Sequence, residues 1–457
     1  MALLSTSHLS PDRPSLVDDV LLRIFCSCDI HSILALSQSS RHFHNLALSK
    51  QVWLTVLSDL HRRNFIDLLP GQQLDQLSAL ELVNLARRTV RGPRSWTDPA
   101  GPLIAKQLVV KSSITDPDHP NNIGYLNEVK LLSGGRYILF QHQDTLECLA
   151  VEDGKHIWQY RGHWESFNVL KFAAEVVDEG KAVIIMVGIR TYDTKQNFVE
   201  ILRLDFSTGS ATTLIKEKTP KTTYDNVFSS MKICGDFAVT TVDNTLHILI
   251  FKLSTRSYKA MKDMDTSIVV DLIPGYLLHM TSYKALEISI RSMEALFQST
   301  APKLHIKDIT PVKIVTVAGP GINSDYVLSA HPSPLREDSS TLWVLTSSDQ
   351  PKSSFYKYRI LHPKTGPPSI ELVATRDVNK AYPLSDEAIN VSYAGNVEIF
   401  RYSRQQEYFF SLASNGDHTN IDLPDRGTYI HMSPYSGALT YVTEDVWDEK
   451  IFVNYYE

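Results

Sequence analysis

The spacing of hydrophobic positions along this chain changes period once. From Leu16 to about residue 92 they recur every three or four places, and beyond residue 100 they alternate. In the first region Leu16, Val20, Ile24 and Cys28 stand four apart, with Leu21 and Phe25 beside them. That spacing predicts a helix with more than one apolar stripe. Ser15-Leu16-Val17-Asp18 has the form of a capping box, with Pro14 before it, and sets the expected helix start. Asp29 can cap a second helix carrying Ile33, Leu34 and Leu36. A third is expected over Phe43 and Leu46, and a fourth from Val52-Trp53 with Val56-Leu57. Ser78-Ala79-Leu80-Glu81 is another capping box, followed by Leu82, Val83, Leu85 and Ala86; Gly92-Pro93 stops that helix and marks a domain boundary.

The alternating region reads as short strands closed by turn residues. Seven segments resemble copies of one strand: LECLAVEDGK at 146, VEILRLDFSTG at 199, LHILIFKLSTR at 246, LEISIRSMEA at 286, FYKYRILHPKTG at 355, VEIFRYSRQQ at 397 and IFVNYYE at 451. Each follows another strand that often opens on glycine, as in GGRYILF at 134, GDFAVTT at 235, GYLLHM at 275 and SGALTYV at 436. Copies spaced roughly 40 to 70 residues apart suit the four-stranded blades of a β-propeller. Seven blades are the first expectation, with six or eight as alternatives. IFVNYYE has no fourth strand after it, while AKQLVVKS at 105 has no neighbour. The second is therefore expected to complete the last blade and close the ring, because an open edge would leave backbone groups unpaired.

At 457 residues the chain exceeds one ordinary core unless it is a barrel or radial repeat, and 43% hydrophobic with 21% charged residues describes a globular protein. A net charge of −6 provides no basic field for nucleic acid. No run of eighteen apolar residues predicts a membrane span. MALLSTSHLSPDRP is polar, and Asp18, Asp19 and Arg23 interrupt the apolar stretch after it, which excludes a secretory signal. Cys26, Cys28, Cys148 and Cys234 form no metal or disulfide framework and point to a reducing, intracellular compartment, cytoplasmic or nuclear. Cys26 and Cys28 would lie about 200° apart on a helix and are expected to be small buried hydrophobes. His31, His42 and His44 lack zinc spacing. GPGIN at 319 lacks the spacing and lysine of a phosphate loop, and no Gly-x-Ser-x-Gly or His-Glu-x-x-His occurs. No cofactor or metal is expected. Arg87-Arg88, Arg91 and Arg94 are assigned to a solvated helix face and linker.

Residues 15–57 resemble an F-box. Leu16, Asp18-Asp19, Val20, Ile24-Phe25, Asp29, Leu34, Arg41, Phe43 and Trp53 match that family's ordered pattern. Val17 stands for the usual proline, Cys28 for leucine, Ser39-Ser40 for an apolar-Cys pair, and Val52 for leucine. DLHRRNFID at 59, LVNLARRTVRGPRSW at 82 and HMSPYSGALTYVT at 431 are similar to F-box proteins of mushroom-forming fungi with a propeller-like C-terminal region. The resemblance implies the substrate receptor of an SCF-type ubiquitin ligase: the F-box docks a Skp-family adaptor, and through it a cullin ligase, while the propeller recruits a protein target. It implies Leu16, Val20, Leu21, Ile24, Phe25, Leu34, Phe43 and Trp53 as the adaptor-binding set, some of them serving the internal core.

The expected fold is therefore α plus all-β in two domains, with a helical F-box at 10–57, a helical extension and linker at 58–100, and a β-propeller-like target-binding domain at 101–457. The expected function is interaction rather than catalysis, with no nucleic acid or membrane as partner. A propeller enzyme or small-molecule binder with an accessory helical domain would instead converge His, Asp or Arg side chains on the channel. A propeller scaffold whose F-box-like helices no longer dock an adaptor is the third reading, kept open by Val17 and Ser39-Ser40.

Overall fold

Helix boundaries in the N-terminal region follow the capping residues. The computed structural model describes residues 17–98, 102–111, 128–142, 144–162, 167–220, 227–242, 247–262, 269–281, 285–299, 304–317, 325–347, 353–378, 387–401, 406–412, 427–443 and 450–457. Helix α1 (Asp18–Cys26) starts after Val17, which has no side-chain acceptor; Asp18 and Asp19 instead favour its positive end. The expected box with Ser15 as the capping residue is not met, because Val17 is extended and the helix begins only at Asp18; Ser15 itself and the candidate Leu16 lie outside the described residues. Because α1 stops at Cys26, Cys28 falls beyond the stripe to which its spacing assigned it. Both cysteines are partly buried against the helical core, as small hydrophobes.

Helix α2 (Ile30–Ser37) is capped by Asp29, which accepts from the Ser32 N–H at 2.7 Å. Helix α3 (Arg41–Ala47) is capped by Ser40, which accepts from the Phe43 N–H at 3.1 Å. Helix α4 spans Lys50–Arg62. At the start of α5 (Ala79–Arg91), Ser78 and Glu81 form the expected reciprocal box, and Gly92 ends that helix at φ +75°. Phe25, Ile33, Val52, Trp53, Leu57 and Leu82 share one buried cluster.

The strands form antiparallel sheets in chain order, apart from one short parallel addition, Leu304 and His305 beside Met261 and Lys262. Among the described residues there are seven: sheet I (128–159), II (167–218), III (228–262), IV (269–316), V (325–378), VI (387–411) and VII (427–456). Five have four strands; sheet III gains a short fifth, Leu304–His305, and sheet VI shows three. Sheet VII takes its outermost strand, Ile104–Lys111, from the other end of the chain, paired antiparallel with Lys450–Tyr456. The expected closure by residues near 105 is met. The expected blade number belongs to the whole chain, whereas these seven sheets are those of the described residues.

First strands of neighbouring sheets pack together where II meets III, III meets IV, IV meets V, V meets VI and VII meets I, and every seam between these sheets carries a polar contact. Gln141 donates to the Val169 carbonyl (2.7 Å), the Gly235 N–H to Glu175 (2.9 Å), and Lys232 pairs with Asp271 (3.4 Å). The Ala330 N–H donates to Asp271 (2.9 Å), His331 Nε2 to the Val391 carbonyl (2.6 Å), and the Met432 N–H to Glu398 (3.2 Å). Tyr455 completes the circuit by donating to the Gly135 carbonyl at 3.4 Å. A ring of antiparallel sheets joined this way is a β-propeller architecture.

Six of the repeated segments are the third strands of their sheets, and one is not. VEIFRYSRQQ supplies Asn396–Arg401, the second strand of sheet VI, with Gln406–Ser411 following it. The alternation is the same in both positions, so periodicity cannot distinguish them. Gly395 at φ +94° could have done so, since glycine precedes the second strand in other sheets too.

Candidate protein-docking site

Helix α1 presents two apolar stripes about 100° apart. One carries Leu21 and Phe25, buried at 7% and 2% exposure. The other runs from Val17 at the N-cap through Val20 and Ile24, exposed at 66%, 44% and 44%. The expectation of a helix with surplus apolar surface is met. On α2, Leu34 is also exposed, while Ile33 beside it is fully buried.

The eight sequence-derived candidates therefore separate. Val20, Ile24 and Leu34 are exposed. Leu21, Phe25 and Trp53 are buried within this chain, and their bulk holds the helices together instead. Phe43 is partly buried, meeting Phe25 edge to face with ring centres 6.0 Å apart. Leu16 lies outside the described residues. Ser39 and Ser40, the departure from the family pattern, have local roles: Ser39 donates to the Leu36 carbonyl at 2.7 Å, and Ser40 caps α3. His42 and Asp18 pair at 3.1 Å on the surface, where water screens the attraction.

The segment after α4 holds this helical unit against one end of the sheet ring. Asp67 is 3% exposed, and its carboxylate accepts from the Gly134 N–H (2.8 Å), Ser436 Oγ (2.6 Å) and Ser433 Oγ (2.5 Å). Those donors lie in the first turns of sheets I and VII. Asn64 donates to the Val176 carbonyl at 3.1 Å in sheet II, and Arg63 to the Pro334 carbonyl at 3.3 Å in sheet V. Phe65 meets Tyr435 edge to face at 4.8 Å, and Tyr435 donates to the Pro332 carbonyl at 3.0 Å. Tyr393 and Tyr435 belong to the same apolar cluster as Phe25 and Trp53.

No short motif announces Asp67, because its partners lie 67 to 369 positions away. Arg88 also departs from expectation. It is half-buried rather than solvated; burial lowers its pKa, opposed by the nearby Asp67 carboxylate and Tyr455.

Along the axis, burial pushes His331 down to about 4, with Lys232 adding to the effect, and holds His431 well below its ordinary value. Burial likewise raises Glu398 to about 8, against the opposing bonds from Asn390 and the Met432 N–H. Histidine, aspartate and lysine thus do reach the axis, and the contacts above show several of them joining sheet to sheet. Among the described residues no three metal-ligating side chains converge. Among those residues, too, no helix is long and apolar enough to cross a membrane.

A family model for the F-box domain matches residues 14–55. No curated relative matches the chain. Similar solved structures include the Cps50 (Swd1) β-propeller domain of Myceliophteria thermophila, at 8% identity and TM-score 0.46, covering 76% of this chain and 99% of that one. The WD40 domain of SCAP from fission yeast follows at 11% identity and TM-score 0.39, covering 73% and 85%. Kuenenia stuttgartiensis hydrazine synthase is similar at 8% identity and TM-score 0.42, covering 73% and 95%. The propeller assignment rests on strand order and seam contacts. Residues 14–55 are an F-box domain, and the chain joins it to a ring of antiparallel sheets of the β-propeller kind.

Proposed function

We propose that this chain is a non-enzymatic substrate receptor of an SCF-type ubiquitin ligase. Its F-box docks a Skp-family adaptor, which bridges to a cullin, and its propeller recruits a protein for ubiquitin transfer. The observation that carries this reading is the Val17, Val20 and Ile24 stripe, left exposed on a helix whose other stripe fills the core. Exposed apolar surface on a matched interaction domain is best explained by a partner with an apolar groove. A cytoplasmic or nuclear location follows from that partnership.

The sheet ring has two ends, and α4 with its following segment covers turns at one of them. Strand alternation puts the connections between second and third strands at the other end. Target recruitment is assigned to that end, because the near one is occupied by the chain itself. Reconstitution with a Skp-family adaptor and a cullin tests the reading. The three proteins should elute as one complex in size-exclusion chromatography, and separate elution of this chain would overturn it.

A further inference from the structure

We infer that adaptor docking and closure of the sheet ring are energetically linked in this chain, with Asp67 as the positioning residue that joins them. The inference rests on the docking reading above and adds a regulatory consequence to it. The core of the F-box does not end at the helical unit. Phe25, Ile33, Trp53 and Leu57 share a buried cluster with Tyr393 and Tyr435, which sit in the first turns of sheets VI and VII. Asp67 then binds the first turns of sheets I and VII at once, across the seam where the ring closes.

The closing strand is itself clasped by N-terminal residues. Ile104–Lys111 pairs with Lys450–Tyr456 along one edge. Trp96 meets Tyr456 edge to face at 5.5 Å, and the Ser95 N–H donates to the Glu457 carbonyl at 2.8 Å. Contiguous packing of this kind makes segments open together instead of separately. A ligand that binds only the closed form then slows exchange throughout the shared unit by the factor 1 + [L]/Kd.

Hydrogen exchange on the full chain, with and without a Skp-family adaptor, reads this directly. With free adaptor at about 100 times its Kd, the amides of α1 to α4 should slow by about 100-fold. The amides of Ile104–Lys111 and Lys450–Tyr456 should slow by a comparable factor; unchanged clasp amides beside slowed helix amides would overturn the linkage. Asp67→Ala should keep adaptor affinity and helix slowing but lose clasp slowing. A purely structural Asp67 would lower basal protection yet leave the adaptor-induced increment, which would overturn its positioning role. If Asp67→Ala does not fold, S433A with S436A removes two of its donors and carries the same expectation. Should the adaptor leave the helix amides unchanged, the docking reading fails, and the linkage is judged in Ile33→Ala without adaptor. Clasp amides must then exchange faster together with those of the helices, and unchanged clasp amides would overturn it.

Discussion

Val110 stands opposite Ile451 in the antiparallel pair that closes the ring, and both side chains are buried. The two residues are 341 positions apart in the sequence, so the pair is a long-range latch supported by ladder hydrogen bonds and apolar burial. A charge at this point would enter the apolar cluster that Val110 and Ile451 share with Ile138, Leu149 and Val453. Val110→Asp is expected to destabilise the protein by at least about 3 kcal/mol. Chemical denaturation checks this, and an unchanged midpoint would mean that the strand is not needed for closure.

Neighbouring positions on α1 should respond in opposite ways. Phe25→Ala empties space in the core and is expected to cost about 3–5 kcal/mol. Ile24→Ala trims an exposed side chain and should cost less than about 1 kcal/mol. Equal losses in equilibrium unfolding would contradict the stripe assignment.

Glu398 predicts a pH dependence. Its folded pKa is about 8 against an ordinary 4.5, because burial disfavours the carboxylate. The folded form therefore keeps a proton that the unfolded form releases over that interval. The stabilising contribution of the protonated group is complete below 4.5, and is lost as pH rises towards 8. Glu398→Gln should remove this dependence, gaining about 2 kcal/mol on the wild type between about pH 6 and pH 8. Thermal unfolding across pH measures it; parallel profiles for the two proteins would refute the burial account.

Two glycines with similar backbones separate conformational strain from crowding. A Cβ at Gly135 would lie 3.0 Å from the Leu68 carbonyl, whereas Gly275 faces open space, and both have positive φ, +73° and +78°. Gly275→Ala should cost about 1 kcal/mol for its backbone alone. Gly135→Ala should cost clearly more, since the segment after α4 must also move. Matching losses in melting experiments would deny close contact between that segment and sheet I.

Local chemistry was legible in the sequence where partners are near neighbours. Asp29, and Ser78 with Glu81, cap their helices as their spacing predicts. Hydrophobic period also revealed two stripes on α1. It did not reveal which faces inward, because that depends on where α3 and α4 pack. The shifted segment in sheet VI shows the same limit, since alternation records a strand but not its rank. Asp67 was invisible for a related reason: a single acid among apolar neighbours gains meaning only when Gly134, Ser433 and Ser436 arrive from distant turns.

The most direct test of the central claim is a calorimetric titration of a Skp-family adaptor into the full chain and into Val20→Asp with Ile24→Asp. Both substitutions fall on exposed positions, so the variant should melt close to the wild type. The wild type should bind, and the variant should lose at least about 100-fold in affinity, as two charges facing an apolar groove would require. No binding by the wild type, or equal binding by both, would contradict the account.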